Sequence, residues 1–461
     1  MKSALRLGIV PLFLALCLLL GGASAGGFWE NMALQLIAVA ILFGALIIRR
    51  GAPTSAPGRR LIALAGAIAL LGLFQLVPLP PSLWSALPGR DGVARAFALM
   101  DLPLPWMPVS LDPAATIASL LWLLPAAAVM LGTVRLGSFK PVWIAWVVAA
   151  IASLSVVLGA LQLAGGAGSP WYFYRITNAG ATTGFFANSN HMATLLVAAI
   201  PFLAALYLHA RRKRRSAQHA TALLVMVGGA IAVVAVGIVI NTSLAGLGLM
   251  VPALAASALM IRSRNRALPA WSGWAVGALL AASVAAIYLA PIGEGFRANN
   301  LTAAAAAADP ESRATSLGIT AKAAADHLPV GSGIGTFVNI YPAYEDPAAV
   351  DRRYMNHAHG DYHELLLETG LPGALLILLF LWWWGARSVA IWRAEDSDLF
   401  AMAATIASGV ILAHSIVDYP LRTAAIAALF AACCALMAEP RARVGQREPE
   451  RADKARHLSA D

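Results

Sequence analysis

Charged residues are scarce in this sequence. Only 12% of its 461 residues are Asp, Glu, Lys or Arg, about half the share found in an average soluble domain, while 59% are hydrophobic. A set of water-soluble domains is thereby excluded, because no soluble surface could be covered with so few charges. Cysteine is nearly absent: Cys17, Cys433 and Cys434 all sit inside apolar runs with no partner across a loop, which excludes a disulfide framework. No Walker or Rossmann glycine motif occurs, so there is no sign of a nucleotide site. Acidic metal-binding motifs and helical repeats of fixed period are missing too.

What is present is long apolar runs, and lipid is the natural solvent for them. Runs near residues 7–25, 32–48, 60–77, 114–134, 141–163, 187–208, 221–241, 244–261, 271–291, 371–392, 399–417 and 421–438 predict an all-α polytopic membrane protein of about 12 transmembrane helices. The 221–261 run is too long for one helix, and Asn241-Thr242-Ser243 marks its turn. The chain start mimics a secretory signal, with Lys2, Arg6, an apolar stretch and Ala23-Ser24-Ala25. The charge distribution described next works with an even number of spans, which favours retention of this segment as the first helix.

Basic residues orient the bundle. Alternating spans put Arg49, Arg50, Arg59, Arg60, Arg135, Lys140, Arg211–Arg215, Arg262, Arg264, Arg266, Arg393 and the Arg-rich tail on the side of Met1. That side holds 24 of the 33 Lys and Arg but only 8 of the 23 Asp and Glu. The positive-inside rule makes it the cytoplasm, so both termini are expected there. The net charge of +10 therefore records topology and gives no reason to expect nucleic-acid binding.

The expected organisation is a bundle of nine helices over 1–290 with an outward loop near 78–113. A large, helical periplasmic loop over 291–369 follows, then three more spans over 370–438 and a disordered basic tail over 439–461. Within the large loop, 315–328 reads as a helix and 329–335 as a turn.

Polar clusters at the outward ends of spans are where chemistry is expected. Positive charge there runs against the topology rule, which singles out Arg90, Arg95, Arg175, Arg297, Arg313, Lys322, Arg352, Arg353 and Arg422. Arg175 follows Trp171-Tyr172-Phe173-Tyr174, an interfacial aromatic set, and its planar fork suits a headgroup-level phosphate. Asn188 and Asn190, in Gly184-Phe185-Phe186-Ala187-Asn188-Ser189-Asn190-His191, read as helix caps or ligand contacts. Asn356-His357-Ala358-His359-Gly360-Asp361-Tyr362-His363-Glu364 gathers imidazoles that move protons near neutral pH and carboxylates that can orient them. The His-x-His-x-Asp spacing resembles hydrolase zinc ligation, but such sites need a strand sandwich that this loop cannot supply, so no metal is expected. His414 and Asp418, four apart before Arg422, share a helix face as a substrate contact or as a pin for the turn.

In this order, Gly184–His191, His357–Tyr362 with Glu368-Thr369-Gly370-Leu371-Pro372-Gly373, and His414–Arg422 resemble the O-antigen ligase and O-antigen polymerase family. The resemblance spans roughly residues 170 to 438. It implies transfer of a glycan from undecaprenyl diphosphate to a sugar hydroxyl at the periplasmic face, with no cofactor and no metal. The acceptor is a glycan or lipid A core. On this reading Arg175, Arg297, Arg313, Arg352 and Arg353 neutralise the diphosphate. His359 is the base or orienting group, with His357 its competitor and Asp361 and Glu364 close enough in sequence to orient it. Two departures stand out: Gly360 replaces the family's usual Asn, and Leu244 stands where many members carry the arginine of Ser-Arg-Gly. The second leaves a non-catalytic family member as an alternative. A solute transporter is another, although its ionisable residues should lie at mid-bilayer and these lie near span ends.

Overall fold

In a computed structural model, the structure describes residues 2–24, 28–48, 53–212, 217–263, 269, 271–288, 313–348 and 355–439. A helix lies at each of the twelve positions where an apolar run predicts a span. Among the described residues, eight are long and apolar enough to cross a membrane: Trp29–Ile47, Ala56–Phe74, Pro113–Leu136, Pro141–Gly168, Ser189–Arg211, Thr221–Asn241, Leu244–Arg262 and Asp361–Arg393. Leu7–Leu20, Ser272–Ile287, Leu399–His414 and Ala424–Ala438 are apolar but shorter. The protein is a mostly helical membrane protein.

Local sequence sets the helix starts. Ser55, Asp112, Ser243, Asp398 and Thr423 each accept a backbone N–H from the first turn of the helix they precede. Prolines at the first or second position begin three of the long helices, where the missing N–H costs nothing. Thr242, at φ 58°, makes the turn between Ala217–Asn241 and Leu244–Arg262, as the sequence predicts.

Burial separates inner from outer helices. Ser189–Arg211 is the most buried of the long helices, and it packs against Leu399–His414, Leu244–Arg262, Ala217–Asn241 and Pro141–Gly165. Ala424–Ala438 fills the remaining centre, against Pro113–Leu131, Leu399–His414 and Lys2–Leu20. Trp29–Ile47 and Ala56–Phe74 are peripheral, and Leu36, Phe43, Leu70, Leu378 and Trp382 stand exposed on outward faces. A continuous apolar surface of this kind is stable only when lipid covers it. All three cysteines are free and buried.

Three features depart from the sequence reading. The all-α expectation gains a two-residue antiparallel pair, Pro78–Leu79 with Met107–Pro108, that closes the first outward loop. The helix expected from 371 begins ten residues earlier, at Asp361, and breaks at Gly370 (φ 58°, ψ −148°). The segment expected as loop up to Thr369 thus ends in a helical stub on the span. Asn190 is also not a cap. Asn188 Oδ1 accepts the Asn190 N–H at 2.8 Å, while the Asn190 side chain reaches across the bundle.

The outer cap is partly described. Arg313–Asp326 packs on the Asp361–Arg393 helix, and the loop around Gly331–Gly335 seals it to the bundle. Arg90, 1% exposed, donates to the carbonyls of Pro88, Val109 and Gly331. Gln75 donates to Glu368 O and accepts from the Ile334 N–H. Arg90 thus ties two outward loops together. The tail from residue 440 and much of the large loop, Arg297, Arg352 and Arg353 included, lie outside the described residues.

Candidate active site

Four chain segments meet at one end of the bundle: the start of Ser189–Arg212, the Asn241–Ser243 turn, the loop and stub 355–369, and the 414–423 turn. Helix direction places this end opposite Arg135, Lys140, Arg211, Arg262 and Arg393.

The stub presents three carboxylates. Asp361, Glu364 and Glu368 recur at a spacing of three and four, which puts them on one helix face. All three are buried, and Arg422 inserts among them. Its Nη2 lies 2.9 Å from Glu368 Oε2 and 3.4 Å from Glu364 Oε1, and its Nε lies 3.7 Å from Asp361 Oδ1. Burial alone would weaken the hold of this guanidinium on its proton; Glu364, Glu368 and Asp361 outweigh that and raise its pKa above the ordinary arginine value. Each carboxylate has further donors. Asp361 Oδ2 accepts from Ser415 Oγ at 2.7 Å, Glu364 Oε2 from the Ala358 N–H at 2.9 Å, and Glu368 Oε1 from the Gly335 N–H at 2.8 Å.

Two imidazoles of the loop before the stub lie next to carboxylates, and the pairing differs from the one that sequence proximity suggests. His357 Nδ1 is 2.9 Å from Glu364 Oε1. His359 Nδ1 is 3.7 Å from Asp418 Oδ1, beyond hydrogen-bond distance. Neither Asp361 nor Glu364 is the carboxylate beside His359. His359 adopts φ 51°, a left-handed conformation that side chains rarely take and that clusters at functional sites.

Asp418 is the second hub. Its Oδ2 accepts from Asn190 Nδ2 at 2.8 Å, its Oδ1 accepts the Tyr419 N–H at 2.9 Å, and His414 Nε2 lies 3.8 Å away. Burial by itself would raise this carboxyl; the His359, His191 and His414 imidazoles around it hold it well below the usual carboxylate range. His414 Nδ1 meets Thr194 Oγ1 at 2.6 Å, and Thr194 donates to Asn190 O. The Asn190 Oδ1 accepts from Ser243 Oγ at 2.7 Å. Tyr419 packs at the centre, its ring 4.5 Å from His357, 5.1 Å from His191 and 5.3 Å from His359. Burial, then Asp418, push its hydroxyl above the ordinary tyrosine range.

Of the residues singled out from sequence, the structure brings together His357, His359, Asp361, Asn190, His414, Asp418 and Arg422. Asn188 stays local. Arg175 is exposed and makes no hydrogen bond or ion pair among the described residues. The backbone of Arg313 begins the cap helix. Sequence reasoning left Glu364 with the wrong histidine and gave Glu368, Ser243, Thr194, His191 and Tyr419 no role. The 361/364/368 spacing was a legible signal for the two glutamates.

Gln162 shapes the flank of the site. It accepts the Thr183 and Gly184 N–H groups at 2.9 Å and donates to Gly184 O, folding the loop after Trp171 back onto its helix. Asn241 donates to Thr182 O at 2.9 Å and Ser189 O at 3.2 Å. The arrangement is chemically suited to proton transfer at an imidazole held in a buried, acidic pocket.

A search of curated proteins finds no match to this chain. The family model described as O-antigen ligase does match it, over residues 229–378, which include the Asn241–Ser243 turn, His357, His359 and the whole carboxylate stub. Over that segment, about a third of its length, the chain is similar to the O-antigen ligase family.

Proposed function

We propose that this protein transfers a glycan from undecaprenyl diphosphate to a sugar hydroxyl at the periplasmic face of the bacterial inner membrane, in O-antigen or exopolysaccharide assembly. The observation that carries the reading is the convergence of His357 and His359 with Glu364 and Asp418 at the bundle end opposite the basic residues. The positive-inside rule makes that end periplasmic.

The acceptor oxygen attacks the anomeric carbon, the bond from that carbon to the diphosphate oxygen breaks, and an imidazole accepts the hydroxyl proton. The diphosphate leaves on its lipid. Glu364 and Asp418 lie beside the imidazoles, and Arg422 is the one guanidinium ion-paired with the three buried carboxylates of the stub among the described residues. An anionic donor therefore does not lie against the stub. Its phosphates belong with cations at headgroup level, the role assigned to Arg175, Arg297, Arg313, Arg352 and Arg353. The acceptor is a glycan or lipid A core, and the reaction needs no metal or cofactor.

The test is reconstitution of the purified protein in liposomes with a glycan on undecaprenyl diphosphate and a sugar acceptor. The expected result is a longer or newly linked glycan with release of undecaprenyl diphosphate, in chelator as well as in buffer. Absence of transfer with every acceptor class offered would overturn the reading.

A further inference from the structure

We infer that Glu364 is a positioning residue that fixes the tautomer of His357 and so makes His357, rather than His359, the base of the proposed transfer. The inference rests on the functional reading above and adds to it a residue and a choice between two imidazoles.

Glu364 is 1% exposed and all its bonds are of one kind. Its Oε1 faces His357 Nδ1 at 2.9 Å and Arg422 Nη2 at 3.4 Å, and its Oε2 accepts the Ala358 N–H at 2.9 Å. Arg422 is itself anchored on Glu368 at 2.9 Å. An ionised carboxylate only accepts, so the neutral His357 ring must carry its proton on Nδ1. Its Nε2 then holds the free lone pair that a general base needs. The His357 ring also packs on Tyr419, which limits its rotation. His359 is held less closely. Its Nδ1 faces Asp418 Oδ1 at 3.7 Å, against the 2.9 Å between His357 Nδ1 and Glu364 Oε1. A third group orienting a base is the arrangement that recurs in nucleophile activation.

Glu364→Gln separates positioning from scaffolding. The amide oxygen takes the Ala358 N–H, since an NH2 there would face another donor. The amide NH2 then points at His357 Nδ1 and donates to it. The His357 proton is driven to Nε2, and the lone pair is lost with little change in shape.

Two measurements test this on the full-length protein. In 15N-histidine spectra, with the His357 signal assigned by its loss in His357→Gln, the wild type should show the Nδ1–H form and Glu364→Gln the Nε2–H form. An unchanged tautomer overturns the inference. In the reconstituted transfer assay, Glu364→Gln and His357→Gln should each fall by about two orders of magnitude, the usual scale of general-base catalysis, and the double variant should fall no further. Glu364→Asp, which keeps a carboxylate, should recover part of the rate. Retention of transfer within a few-fold in either single variant, or loss confined to His359→Gln, overturns it. A wild type without transfer defeats the functional reading instead, and the tautomer measurement still decides the role of Glu364.

Discussion

Asn190 donates from Nδ2 to Asp418 Oδ2 at 2.8 Å, across 228 positions of sequence, while its Oδ1 accepts from Ser243 Oγ at 2.7 Å. One amide thus joins three segments and is fixed in orientation by its two opposite partners. Asn190→Ala leaves the buried Asp418 carboxylate short of a donor and should cost about 1–3 kcal/mol. Asn190→Asp keeps the Ser243 bond but sets two carboxylates in contact, and should be worse. Thermal unfolding in detergent gives the order. An Asp variant as stable as wild type would show that the bridge does not hold the segments.

The same carboxylate makes a pH prediction. Asp418 is held below the unfolded aspartate value of about 4, so its contribution to stability is complete above that value and is lost progressively as the pH falls below it. Asp418→Asn should therefore be less stable than wild type at pH 7, and the gap should narrow between about pH 5 and pH 3. A gap constant over that range would mean that Asp418 acts through shape and not charge.

Arg422 sets one positive charge against three buried carboxylates. Arg422→Ala leaves them facing one another and should cost about 3–5 kcal/mol, the scale for breaking a buried ion pair from one side. Arg422→Lys restores charge but not the fork that reaches Glu364 and Glu368 together, so it should fall between the two. Folded yield and unfolding midpoint in detergent are the readouts, and equal stability of the Lys variant and wild type would remove the fork from the explanation.

Gly370 separates the carboxylate stub from the span. At φ 58° it is left-handed, and an added Cβ would stand 2.1 Å from Pro329 O. Gly370→Ala should lower the folded yield strongly, through both conformational strain and steric conflict. Gly385, later in the same helix, has open space around it. Gly385→Ala should be neutral or slightly stabilising, which makes it the control for helix propensity. Comparable losses in both variants would refute the need for glycine at this break.

Topology is open to direct measurement. Reporter fusions after Arg214 and after Arg353 should report opposite sides of the membrane, with Arg214 cytoplasmic. Both positions lie outside the described residues, so the fusions supply what the structure does not describe. Reporters on one side would break the alternation on which the charge distribution was read.

The sequence by itself determined the class of protein and the positions of its helices. Apolar runs of about 20 residues must be helical in lipid, because every backbone polar group there has to be satisfied within its own segment. Ser55, Asp112, Ser243, Asp398 and Thr423 could likewise be read as caps, since capping is a local bond. The histidines near 357 and the turn at 414–422 were visible as polar residues where polarity is costly. Their pairing was not. Asp361 and Glu364 are close to His359 in sequence, but the left-handed backbone at His359 turns its ring toward Asp418, and the helical stub carries Glu364 to His357. Arg422 stood out in sequence only as a positive charge on the outward side, after His414 and Asp418; the fold commits it to three carboxylates. Partners contributed by different helices depend on how whole helices pack, and that packing is a property of the assembled core, which no local spacing encodes.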